Sequence, residues 1–111
     1  MIDRDEIKAL IKGVIDDVSE RRSELLVRDG VLRCDTAKEM FAAIEKHSGV
    51  LSQVPLEVFE NLYFDFGDGG VLFVDFDLWY DESPSDLVLQ IVVKVKDDCP
   101  PSIIIESFYI R

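Results

Sequence analysis

The feature that most constrains this chain is a change of period near its midpoint. Before Pro55 the apolar side chains recur every three or four residues, and after Asn61 they recur every two. The run Val71 to Tyr80 is the clearest case: Leu72, Val74, Phe76, Leu78 and Tyr80 alternate with Phe73, Asp75, Asp77 and Trp79. A pleated strand with one buried face requires that alternation. Helical periods followed by strand periods, rather than the two interleaved, place the chain in the α+β class.

The helical half begins at Asp3, which is placed to cap the first turn, with Glu6 three residues on as its capping-box partner. Ile7, Leu10, Ile11, Val14, Ile15 and Val18 form one apolar stripe. This helix is expected to run to about Leu26 and to stop at Arg28-Asp29-Gly30. A second helix starts at Cys34-Asp35-Thr36 with Asp35 as its cap, carries Ala37, Met40, Phe41 and Ile44 on one face, and closes at Lys46-His47-Ser48-Gly49. Leu56 to Phe59, after Pro55, reads as a short turn of helix.

Four strands are expected, over 61–66, 71–80, 87–96 and 103–110. The separators Gly67-Asp68-Gly69-Gly70, Asp81 to Asp86 and Asp97 to Ser102 are turn sequences too short to hold a crossover helix, so successive strands pair antiparallel. The expected architecture is a single domain, 1–111, with two N-terminal helices packed on one face of a four-stranded antiparallel meander. Leu62, Phe64 and Phe66 are assigned to the core face, and pairing Phe66 with Leu72 brings Phe64 opposite Val74 and Tyr63 opposite Asp75. The last strand admits two faces, Ile103 and Ile105 against Ile104, Phe108 and Ile110.

Composition narrows the function classes. A chain of 111 residues, 48% hydrophobic with eleven aromatics, has the material for one modest core and is too apolar for a disordered acidic tail. It has no stretch of about 18 apolar residues, and Met1-Ile2-Asp3-Arg4-Asp5-Glu6 is acidic where a signal peptide is basic, so a cytoplasmic protein is expected. Cys34 and Cys99 are expected as free, partly buried thiols. The net charge of -11 is concentrated, because residues 47–93 carry nine acids and no Lys or Arg. Such a surface repels nucleic acid and anionic membranes and attracts cationic partners.

Chemistry-bearing motifs are sparse. Asp75 and Asp77 share one side of a strand at about 6.5 to 7 Å, with Asp65 on a neighbour, yet a Mg or Ca site needs further placed ligands, and the spacing is not that of an EF-hand. His47 lies at a helix end, where the dipole explains it, and no nucleophile or orienting carboxylate can be placed beside it from sequence. The glycine turn precedes a strand, whereas phosphate loops open into helices. No catalytic residue, metal or cofactor is therefore assigned, and a non-enzymatic role is expected. The face opposite the core is more informative. Tyr63, Asp65, Phe73, Asp75, Asp77 and Trp79 mix aromatic anchors with acids, and with the loop acids Asp81, Glu82 and Asp86 they form the expected partner-binding set.

Two amphipathic helices before a four-strand meander, a strand ending Leu78-Trp79-Tyr80, a restart at Ser85-Asp86-Leu87-Val88-Leu89 and an Ile-rich last strand resemble small acidic bacterial immunity proteins of polymorphic-toxin and contact-dependent growth inhibition systems. The resemblance implies a stoichiometric inhibitor that covers the groove of a basic, nuclease-type toxin domain. Two other readings stay open: a small-ligand binding domain or enzyme resembling the NTF2-like and cystatin-like folds, and an acidic nucleic-acid-mimic adaptor. An exposed edge at Ile103 to Ile110 also leaves a homodimer possible.

Overall fold

A computed structural model describes residues 3–111; Met1 and Ile2, the start of the acidic N-terminal run, lie outside the described residues. The first helix, α1 (Arg4–Ser19), is capped by the Asp3 carboxylate, which accepts from the N–H groups of Asp5 at 3.0 Å and Glu6 at 3.2 Å. Its stripe is buried as expected, with Ile7, Ile11, Val14, Ile15 and Val18 inside. The helix stops at Ser19, short of Leu26. Arg21 takes a left-handed φ of 58°, its N–H donates to the Val18 carbonyl, and the Arg22 N–H reaches back to Asp17. This pair of bonds is a Schellman closure made without glycine. A separate α2 (Ser23–Arg28) then turns Leu26 into the core and closes in the same way at Gly30, φ 74°.

The third helix, α3 (Cys34–Lys46), buries Ala37, Met40 and Ile44. Arg33 holds its N-cap position without a side-chain bond; the expected cap, Asp35, lies within the first turn and accepts from Thr36 N–H at 2.9 Å. α4 (Leu56–Glu60) buries Phe59 and is longer in effect than the expected turn, because Asn61 closes it through both its backbone and its side-chain amide to the Glu57 carbonyl.

Four antiparallel strands form one sheet in the order β1 (Asp65–Phe66), β2 (Val71–Tyr80), β3 (Ser83–Lys94), β4 (Ser102–Ile110). Phe66 pairs with Leu72 as expected and Asp65 with Phe73, but α4 consumes the chain as far as Asn61 and β1 keeps two residues. Tyr63 and Phe64 thus leave the ladder. Phe64 is still buried, whereas Phe66, assigned to the core, is exposed at the sheet edge.

The largest departure is the β2–β3 connection. The expected loop Asp81 to Asp86 is a two-residue turn at Asp81-Glu82, with φ 52° and 63°, and β3 starts at Ser83 rather than Leu87. Positive φ at both central residues is the type I′ signature, ordinarily met by Asn and Gly. Here the Val50 to Ser52 segment supports it: Asp81 N–H donates to the Val50 carbonyl, Val50 N–H to Asp81 Oδ1, Ser52 N–H to the Trp79 carbonyl, and Glu82 N–H to Ser52 Oγ. The additional β3 residues are absorbed in a register shift between Asp77 and Trp79, where Ser85 Oγ donates to the Leu78 carbonyl. β3 ends at Lys94 instead of Lys96, since Val95 N–H turns to the Gly70 carbonyl.

β4 resolves its ambiguity by turning members of both sets, one after the other, to the core side of the sheet. Ile103 and Ile105 are buried opposite Val93 and Ile91; a register shift follows, and Phe108 and Ile110 then stand opposite Leu89 and Leu87. One extra residue, Glu106, resets the alternation. Leu72, Val74, Phe76, Leu78, Leu87, Leu89, Ile91 and Val93 join the helical stripes in a single buried cluster. Val88 and Val92, on the opposite side of β3, are buried outside it. Both cysteines are free and exposed, against the expectation of partial burial. No described helix is long and apolar enough to cross a membrane.

Candidate partner-binding surface

The face of β2 opposite the core displays Phe73, Asp75, Asp77 and Trp79 in a row. Phe73 is 45% exposed, and its ring leaves no room for a β-carbon on Gly67, so the first glycine of the turn acts as its seat. Asp65 lies opposite Phe73, and Tyr63, 78% exposed, precedes it. Trp79 is only half-buried yet packs against the core cluster, so it is less available as an anchor than Phe73.

β3 and β4 complete this face. Asp77 is opposite Val88, and Val88 is opposite Tyr109. From β4, the Tyr109 hydroxyl donates to Asp75 Oδ2 at 3.3 Å, and just beyond it Arg111 Nη1 comes within 2.7 Å of Asp77 Oδ1. Two side chains from the C-terminal end thus span the middle strand, and Val88 between them is wholly buried. The contact with the Asp77 carboxylate holds Arg111 more firmly in its charged form. A shallow recess of about 400 Å³ beside this row is bounded by Phe73, Asp75, Gln90, Lys94 and Glu106.

The remaining acids gather elsewhere, at the end of the sheet where β2 turns into β3. Asp81 and Glu82 form the turn, and Asp86 Oδ1 lies 2.8 Å from Nε2 of His47. The nine expected residues therefore divide into a sheet-face group, Asp65, Phe73, Asp75, Asp77 and Trp79, with Tyr63 exposed just before β1, and an end group, Asp81, Glu82 and Asp86. Tyr109, Arg111 and Val88 belong to the first group and His47 to the second, and none of the four was assigned to the surface from sequence. The signal for Tyr109 and Arg111 is their spacing of two at the end of a strand, which becomes legible only once Glu106 is known to bulge. Among the described residues, no cluster of three or more His, Cys, Asp or Glu side chains is arranged to hold a metal ion.

A family model described as a domain of unknown function, DUF7668, matches residues 14–110, a span that includes all nine expected residues together with Tyr109. No curated protein and no solved structure matches the chain.

Proposed function

The chain belongs to the DUF7668 family, a domain of unknown function, and on that premise we propose that it is a non-enzymatic, stoichiometric protein-binding domain. The occupant of its surface is a cationic partner. In the specific form implied by its resemblance, it is an immunity protein that covers the active-site groove of a basic, nuclease-type toxin domain in the bacterial cytoplasm. The helices cover one face of the sheet and leave the other to the partner.

The observation that carries this reading is the exposed Phe73 ring set between Asp65 and Asp75 on a sheet face. Exposed aromatics supply contact area at low entropic cost, and the surrounding acids select the charge of the partner and accelerate encounter. The concentration of acid in residues 47–93 supports the same polarity of partner. A ligand-pocket reading has less support: the grooves along the helices are open, and Tyr80 is buried with its hydroxyl committed to the Ile44 carbonyl at 2.7 Å.

The proposal expects a basic toxin-type domain to be encoded beside the gene, and the test is co-expression with that domain. Survival of cells that the domain otherwise kills, together with co-purification at a one-to-one ratio, is expected. A folded chain that neither rescues the cells nor binds the domain contradicts the proposal.

A further inference from the structure

We infer that Arg111 is an own-chain occupant of a guanidinium seat at Asp77, beside Asp75, and that a partner arginine displaces it. The inference rests on the surface reading above and adds the chemistry of the group recognised.

Asp77 Oδ1 is itself shielded from solvent, although its side chain is 30% exposed, and it is ion-paired with Arg111 Nη1 at 2.7 Å. Arg111 itself is loosely held, with half of its side chain exposed. Its backbone is fixed independently, since Arg111 N–H donates to the Asp86 carbonyl at 2.9 Å. Val88, opposite Asp77 on β3, is fully buried with Arg111 in place, so a planar cation that displaces Arg111 comes to lie beside an apolar side chain as well as the Asp77 carboxylate. A guanidinium suits this seat better than an ammonium, because its flat fork can satisfy two carboxylate acceptors while its face rests on apolar surface. Tyr109, whose hydroxyl is on Asp75, releases an acceptor when it rotates away. Arg111 therefore competes with a partner arginine for the Asp77 carboxylate.

The experiment titrates hexa-arginine amide and hexalysine amide into the ¹⁵N-labelled full chain at low salt, following the Asp75 and Asp77 amides and the Trp79 indole. R111Q keeps the backbone bond to Asp86 and removes the competing charge; it is expected to bind hexa-arginine about two- to five-fold more tightly than wild type, the range that a surface ion pair contributes. R111K, a weaker competitor in a seat that prefers a guanidinium, is expected to fall between R111Q and wild type, and the gain is expected to be smaller for hexalysine. K38Q removes one positive charge from the α2–α3 groove and is expected to leave affinity unchanged, which separates local competition from net charge. Equal affinity of R111Q and wild type, or an equal gain in K38Q, overturns the inference. If the paired variant D75N/D77N loses peptide binding while R111Q matches wild type, the binding surface stands and the role of Arg111 falls. If D75N/D77N binds as wild type does, both fall.

Discussion

His47 places each ring nitrogen against an acceptor: Nε2 is 2.8 Å from Asp86 Oδ1 and Nδ1 is 2.8 Å from the Ser48 carbonyl. The ring stacks on Tyr80 at 4.1 Å between centroids. With both nitrogens facing oxygen, the imidazolium is the favoured form and neither nitrogen is free to act as a base or a metal ligand. The Asp86 contact, helped by the Ser48 carbonyl, raises His47 above its ordinary 6.5, and His47 in turn holds Asp86 below 3.8.

The pH dependence follows from these directions. Stability from a raised His47 is complete below its unfolded value of 6.5 and is lost as pH rises through the folded one. Stability from a lowered Asp86 is present above 3.8 and is lost as pH falls through its folded value. The gap in stability between wild type and His47→Gln is therefore expected to be widest between about pH 4 and pH 6.5 and to close at alkaline pH. Urea denaturation of both proteins across that range checks it; a gap that persists unchanged at pH 9 would show that the ring acts by packing on Tyr80 alone.

Tyr80→Phe removes the hydroxyl that donates to the Ile44 carbonyl in the last turn of α3. The expected loss is about 1 kcal/mol, a typical net value for one internal hydrogen bond, with the buried acceptor left unsatisfied pushing it upward. Urea unfolding at neutral pH measures it, and a neutral substitution would mean that water reaches the carbonyl.

The glycine turn offers a comparison between neighbours. Gly69 and Gly70 both have positive φ, 70° and 77°, but a β-carbon on Gly69 meets nothing, whereas one on Gly70 runs into the Val95 carbonyl oxygen. Gly69→Ala is expected to cost about 1 kcal/mol for the left-handed backbone alone. Gly70→Ala is expected to cost more, because the strand-end bond from Val95 N–H to Gly70 must also shift. Similar melting temperatures for the two variants would contradict this assignment.

Much of the fold was legible where a single element decides its own structure. The stripe Ile7 to Val18 and the alternation Leu72 to Tyr80 needed no partner to be read, and both are buried as their spacing requires. What escaped depends on contacts distant in sequence. Asp81-Glu82 lacks the glycine of a tight turn and forms one because Val50 to Ser52 lies alongside. Arg21 breaks α1 in a conformation that its side chain does not advertise. At the candidate surface, residues 47–93 contain no Lys or Arg, yet a cation reaches Asp77 in space because β4 ends beside β2 across Val88. The expected open edge at Ile103 to Ile110 is likewise interrupted, since Ile105 N–H donates to the Val31 carbonyl.

Phe73 and Trp79 are expected to separate binding from folding. Phe73→Ala, on a half-exposed ring, should leave stability nearly unchanged and accelerate dissociation of a bound partner, with a cost on the order of 2 kcal/mol if Phe73 is a hot spot. Trp79→Ala should lower the unfolding midpoint, because Trp79 packs against the core. Dissociation kinetics and thermal unfolding of both variants distinguish them; equal destabilisation would place Phe73 in the core energetically.

A bound partner is expected to sit on the sheet face bearing Phe73, Asp75 and Asp77. Amide hydrogen exchange of the chain, alone and in complex with the cationic partner that the proposal requires, tests that most directly. Slowed exchange is expected in β2 from Phe73 to Trp79 and at the end of β4 around Tyr109 and Arg111, with α2 and α3 unchanged. Protection confined to the groove between α2 and α3, lined by Val27, Ala37 and Phe41, would contradict the account.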